Sequence, residues 1–249
     1  MADQAFPHLS RAPVVEAAIE LRARFDAPVA DSCFGRFREL LADSFSGHQN
    51  IRFIAPNVLI GDEGLNVSAS VTTSLIGVRL ENAEKTMVVQ AKNDGLTVSR
   101  MTPYTSWPAL IGEVRTLWGH YSQTFRPTEV VRVGARYINR IELPETVVDF
   151  DVLFTAGPKV APALPQGLAQ FLTRMVIPIE AHRAILTLIQ SFQSTPGGAP
   201  AVMLDIDAGC PIPMSPEGDD IWAQLEELRS VKNQAFFGSL HQKAWERYL

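Results

Sequence analysis

The sequence predicts an α+β fold, a curved antiparallel sheet with long helices on one face. Three observations predict it. Apolar and polar residues alternate from Val14 to Phe25 and again from Val130 to Leu143, the two-residue period of a strand with one buried side. Apolar residues recur at helical spacing over 31–46, 106–123 and 219–248. The element order then repeats: strand, helix, several strands, long helix. That repetition predicts an internal duplication.

Each element has a local cause. In the first strand Ala17, Ile19, Leu21, Ala23 and Phe25 face one way, and Glu16, Glu20, Arg22 and Arg24 the other. Phe34, Phe37, Leu40, Leu41 and Phe45 predict a helix over 31–46, capped by Asp31 or Ser32 and ended by Gly47. Strands are expected at Ile51–Ile60, interrupted at Pro56-Asn57, then at Leu65–Thr72, Ser74–Glu81, Thr86–Lys92 and Leu96–Met101. Asn93-Asp94-Gly95 marks a hairpin, because these residues tolerate a left-handed backbone. Ser106 caps a helix over 106–123, with Trp107 and Pro108 in its first turn.

The second half opens with the strand Val130–Leu143. Val131, Val133, Ala135, Tyr137, Asn139 and Ile141 form one face; Arg132, Arg136, Ile138, Arg140 and Glu142 form the other. A short helix at Asp149–Phe154 and strands at Leu168–Ile179, Arg183–Gln193 and Ala201–Ala208 follow. A helix over Asp219–Tyr248, bent at Gly238, closes the chain. Residues 1–126 and 127–249 are the expected halves, packed as one globular unit. Their plan resembles the β-α-β4-α arrangement of TATA-binding-protein-like and helix-grip folds. That likeness is topological and carries no function.

Composition narrows the classes. Hydrophobic residues make up 46% and charged residues 20% of 249 positions, with a net charge of −5. Disorder and coiled coil are excluded. Acidic balance with scattered Lys and Arg argues against a dedicated nucleic-acid binder, which draws its affinity from phosphate neutralisation. Only Cys33 and Cys210 are present, too few for a disulfide framework. Met1 to Pro13 carries Asp3 and no apolar run, so no signal peptide is expected. No stretch approaches the ~20 apolar residues of a membrane span. A soluble, cytoplasmic protein is the expectation.

Pro13-Val14-Val15-Glu16-Ala17 and Arg136-Tyr137-Ile138-Asn139-Arg140-Ile141, with Ala235-Phe236 in the last helix, resemble a sporadically distributed family of uncharacterised bacterial and archaeal proteins of about this length. The resemblance covers essentially the whole chain and brings no activity, substrate or cofactor. Patchy distribution is common among mobile genes, so the resemblance implies an accessory of a defence or toxin–antitoxin locus.

The most distinctive constellation is the Arg132, Arg136, Arg140 stripe, one face of a strand with ~13 Å between successive members. It reads as an anion- or partner-binding stripe. The favoured reading is an ion-pair ladder, if strands 14–25 and 130–143 are neighbours, with Glu16 and Glu20 opposite Arg136 or Arg140. Asn139, on the apolar face, needs a buried partner, and nearby backbone is the expected one. Asp205 and Asp207 share a face and suit either a divalent metal or a solvated surface. The histidines His8, His48, His120, His182 and His241 form no metal-binding pattern. Gly197-Gly198 lacks the following Lys-Ser or Lys-Thr of a phosphate loop. Met214, in the 209–218 loop, is either part of a connector or presented to a partner.

No catalytic residue, metal or cofactor is expected. The leading reading is a non-catalytic protein-interaction module, with a protein partner or self-association. One alternative is a small anionic ligand binder or enzyme, using a pocket between helix and sheet with Arg136 and Arg140 on the anion. A second alternative is nucleic-acid contact through the Arg stripe.

Overall fold

Residues Val14–Arg24 form strand β1, whose alternation sends Ala17, Ile19, Leu21 and Ala23 into the core. The computed structural model describes residues 6–60, 67–143, 149–193 and 200–249. The other strands are β2 (Gly47–Ile60), β3 (Val67–Glu81), β4 (Met87–Lys92), β5 (Gly95–Met101), β6 (Glu129–Glu142), β7 (Gln170–Ile179), β8 (Ala184–Gln193) and β9 (Ala201–Cys210). They join in one antiparallel sheet of order β2-β3-β4-β5-β1-β6-β9-β8-β7. The strands that open the two expected halves, β1 and β6, are therefore direct neighbours, with Ala18 opposite Arg136 and Glu20 opposite Gly134.

The helices are α1 (Asp31–Leu40), α2 (Trp107–Phe125), α3 (Asp220–Ser239) and α4 (Gln242–Trp245). The α2 helix buries Leu110, Val114, Leu117, Trp118 and Tyr121. Its start is set by Ser106, whose side chain accepts a hydrogen bond from the Ala109 N–H at 3.4 Å. The α3 helix packs across β6 and β9 and buries Ile221, Leu225, Leu228, Val231 and Phe236. None of the described helices is long and apolar enough to cross a membrane.

The predicted fold class is corrected here. The molecule is sheet-dominated, 41% strand against 29% helix, and a single nine-stranded antiparallel sheet replaces an α+β pair of halves with long helices. Two physical reasons account for the difference. First, helical periodicity overran the real helices. The first starts after Ala30 without a side-chain cap from Asp31 or Ser32, and ends at Leu40 rather than near Gly47. The last ends at Ser239, because Leu240 is extended and bridges Phe154. The expected helix at 149–154 is a single tight turn, Phe150–Val152. Second, strands ran through expected breaks. Pro56 lies within β2, an edge strand where a missing N–H is tolerated. The strands expected at 65–72 and 74–81 are one continuous β3; its residues 65 and 66 lie outside the described ones.

The hairpin between β4 and β5 turns on Asn93-Asp94, with Lys92 paired to Gly95. Gly95 has φ of 143°, and a Cβ there would stand 2.3 Å from the Leu21 carbonyl oxygen. Only glycine lets β5 approach β1 this closely. The Gly197-Gly198 connection lies outside the described residues. Met214 bridges Val130 through paired backbone hydrogen bonds of 2.8 and 2.9 Å, so the loop is tied to the sheet there.

Candidate functional site

The sheet face opposite the core carries the arginine stripe. Arg132 donates to Glu20 on β1 and to both oxygens of Asp207 on β9, at 2.9 and 3.0 Å. Its guanidinium lies over backbone: a Cβ at Gly209 would stand 2.4 Å from Nη2, and one at Gly134 2.3 Å from Nη1. Arg136 makes a two-pronged contact with Asp205, Nε at 2.9 Å and Nη2 at 2.6 Å. That partner raises the Arg136 pKa further. Arg140 pairs with Glu142 on its own strand.

All three arginines thus meet carboxylates, and the stripe is a ladder. Its partners differ from the expected ones. Glu20 reaches Arg132, while Glu16 lies opposite Ile138. Asp205 and Asp207, weighed as either a metal pair or a solvated face, serve as the main counter-ions. They stand opposite the arginine strand because β9 pairs β6 with Arg136 against Asp207 and Ile138 against Asp205. Among the described residues no group of three or more His, Cys, Asp or Glu is placed to hold a metal ion.

On the core side of β6 lies a different constellation. The N-terminal segment from Phe6 to Val14, the residues entering α2, β6 and α3 enclose a cleft of about 220 Å³. The α3 stripe explains one wall. Lys232 stands four residues after Leu228 and four before Phe236, so it shares their inward face. Its Nζ lies 4.0 Å from the centre of the Tyr137 ring. The Tyr137 hydroxyl is 3.1 Å from that of Tyr104, and the two rings meet edge to face. Trp107 stacks beyond Tyr137 and donates its indole N–H to Glu226 at 2.6 Å. Phe6 stacks on Phe237 at 4.7 Å, tying the N-terminal segment to α3.

Electrostatics single out the lysine. Burial pushes the Lys232 ammonium down, to about 7, and the charge of Arg229 pushes the same way. The ring face of Tyr137 opposes both, by about 0.5–2 kcal/mol. Tyr104 and Tyr137 are raised by burial and stay protonated. The other cation, Arg229, lies over Trp107 and touches Glu226 at 3.2 Å. Among the described lining residues none is acidic. Asn139, also at the cleft, donates to the Tyr137 and Leu204 carbonyls at 3.3 and 3.1 Å, the backbone role expected of it.

Neither a family model nor a curated protein matches the chain. The site is therefore read from its own chemistry. Of the residues weighed in the sequence for a chemical role, Tyr137, Asn139 and His8 line the cleft, and Pro13, Val14, Ser106, Trp107, Pro108 and Phe236, read there as motif or helix-start residues, line it too. Lys232, Arg229 and Tyr104 were missed. A signal was available: Lys232 is a lone cation on the apolar stripe of the last helix, and such a residue has a partner or a function.

Proposed function

We propose that the chain binds a small carboxylate with an apolar, aromatic-sized body in the cleft between the N-terminal segment, β6 and α3. Lys232 carries this reading. Its ammonium opens onto the cleft from a half-buried side chain, over the Tyr137 ring and beside a second cation, and has no described carboxylate against it. A partly desolvated charge without a counter-ion is costly, and a ligand carboxylate supplies that counter-ion. Phe6, Trp107 and Phe237 offer rings to the ligand's body, the usual make-up of a small-molecule site. The anion is taken by Lys232, with Arg229 lining the same cleft and keeping donors beyond the one it gives Glu226; Arg136 and Arg140 lie on the opposite face of the sheet, held by carboxylates there.

Calorimetric titration with phenylacetate tests the reading. One saturable site is expected, weakened about tenfold or more in Lys232→Met, as loss of a charge-assisted contact implies. Absence of binding, or equal binding by the variant, contradicts it.

A second reading, the protein-interaction module, is favoured by the β7 edge. Leu172 and Val176 are 73% and 51% exposed, and Ile185 on β8, opposite Pro178, is 44% exposed. An unpaired edge next to exposed apolar side chains suits strand addition or self-association. Sedimentation across a concentration series is expected to show association that Leu172→Lys removes; a monomer at every concentration contradicts self-association. An effector or toxin encoded beside the gene is the partner class the resemblance implies, tested by co-purification from the native operon.

A further inference from the structure

We infer that Lys232 is a carbonyl-reactive amine, and that the cleft takes an oxo-acid: an aldehyde or ketone that also bears a carboxylate. This rests on the reading of the cleft as a ligand site. The geometry supplies the parts. Nζ lies over the Tyr137 ring at 4.0 Å, inside a cleft walled by aromatic side chains. The paired hydroxyls of Tyr104 and Tyr137, 3.1 Å apart, end that same ring. Arg229 stands one helical turn from Lys232 along α3 and lines the same space, so one cation can hold a carboxylate while the other amine meets a carbonyl.

The step balances without an added oxidant or reductant. The neutral Lys232 amine attacks the carbonyl carbon, and a new N–C bond forms. The two amine protons pass, through the tyrosine hydroxyls, to the carbonyl oxygen. The C–O bond breaks and water leaves, giving an N=C double bond to the ligand. Burial serves this chemistry, because an amine must shed its proton to be a nucleophile, and a depressed lysine pKa is the usual device. Among the described residues the charged and titratable groups around Nζ are Arg229, Tyr104 and Tyr137, with Glu226 behind Arg229 and Trp107, and His8 on the N-terminal segment.

The probe is 4-carboxybenzaldehyde, trapped with cyanoborohydride at pH 7 and mapped by peptide mass spectrometry. The other four lysines, Lys85, Lys92, Lys159 and Lys243, are internal controls. Lys232 is expected to be labelled roughly a hundredfold faster than they are, since much more of it is free amine at that pH. Lys232→Arg is expected to lose that adduct, and Lys243→Arg to keep it. Labelling spread evenly over the lysines, with phenylacetate still bound by the wild type, overturns this inference alone. Even labelling together with no phenylacetate binding removes the ligand site as well.

Discussion

The ammonium of Lys232 lies 4.0 Å from the centre of the Tyr137 ring, on the core side of the central strand. Two residues far apart in sequence thus meet where α3 crosses β6. A lysine in that place acts against the stability of the fold while it carries a proton.

The first concerns pH. Lys232 has its pKa lowered by burial to about 7 from 10.5. The unfolded chain therefore holds this proton up to about pH 10.5, while the folded chain releases it near 7. Unfolded molecules bind more protons between these values, so this group makes stability rise with pH across that window. Its full penalty applies below pH 7. Lys232→Met is expected to stabilise the protein by about 2 kcal/mol at pH 6 and progressively less toward pH 10. Urea melts of both proteins across this range provide the comparison, and a pH-independent difference counts against the contact.

The second concerns the glycine under Arg132. A methyl group at Gly209 meets the guanidinium at 2.4 Å, and that guanidinium is held by Glu20 and Asp207. Gly209→Ala is expected to cost about 1–3 kcal/mol. In an Arg132→Met background the same change is expected to cost less than half as much, which a double-mutant cycle measures.

The third concerns Asn139, which is 2% exposed and donates to two backbone carbonyls. Asn139→Leu removes both hydrogen bonds and leaves buried acceptors. A loss of about 1–3 kcal/mol is expected in thermal or chemical unfolding.

The fourth concerns polyanions. Because Arg132, Arg136 and Arg140 all meet carboxylates, the stripe has little positive field to offer a phosphate backbone. Fluorescence anisotropy with labelled duplex DNA is expected to show no steep salt dependence. Arg136→Ala is expected to leave the signal unchanged.

Much of this was legible before any coordinates. Alternation alone places Ala17, Ile19, Leu21, Tyr137 and Ile141 in the core, because a strand's two faces are set by its period. What alternation lacks is register. Glu20 belongs to Arg132 and Asp205 to Arg136 only once β1 and β9 flank β6, and no local pattern specifies that pairing. Helix ends were misjudged for a related reason. Past Ser239 the apolar spacing continues through Leu240 and Ala244, yet the bridge from Leu240 to Phe154 draws the backbone out of the helix. The cleft was missed because its members come from four separated segments. Lys232 alone carried a local sign, a cation on an otherwise apolar helical face.

Nuclear magnetic resonance of lysine labelled at Cε and Nζ reads the central claim most directly. Lys232 is expected to titrate near pH 7 in the free protein, and to move upward by at least about one unit when phenylacetate supplies the missing negative charge. A Lys232 signal that titrates with the exposed lysines, and does not shift on adding phenylacetate, contradicts the account.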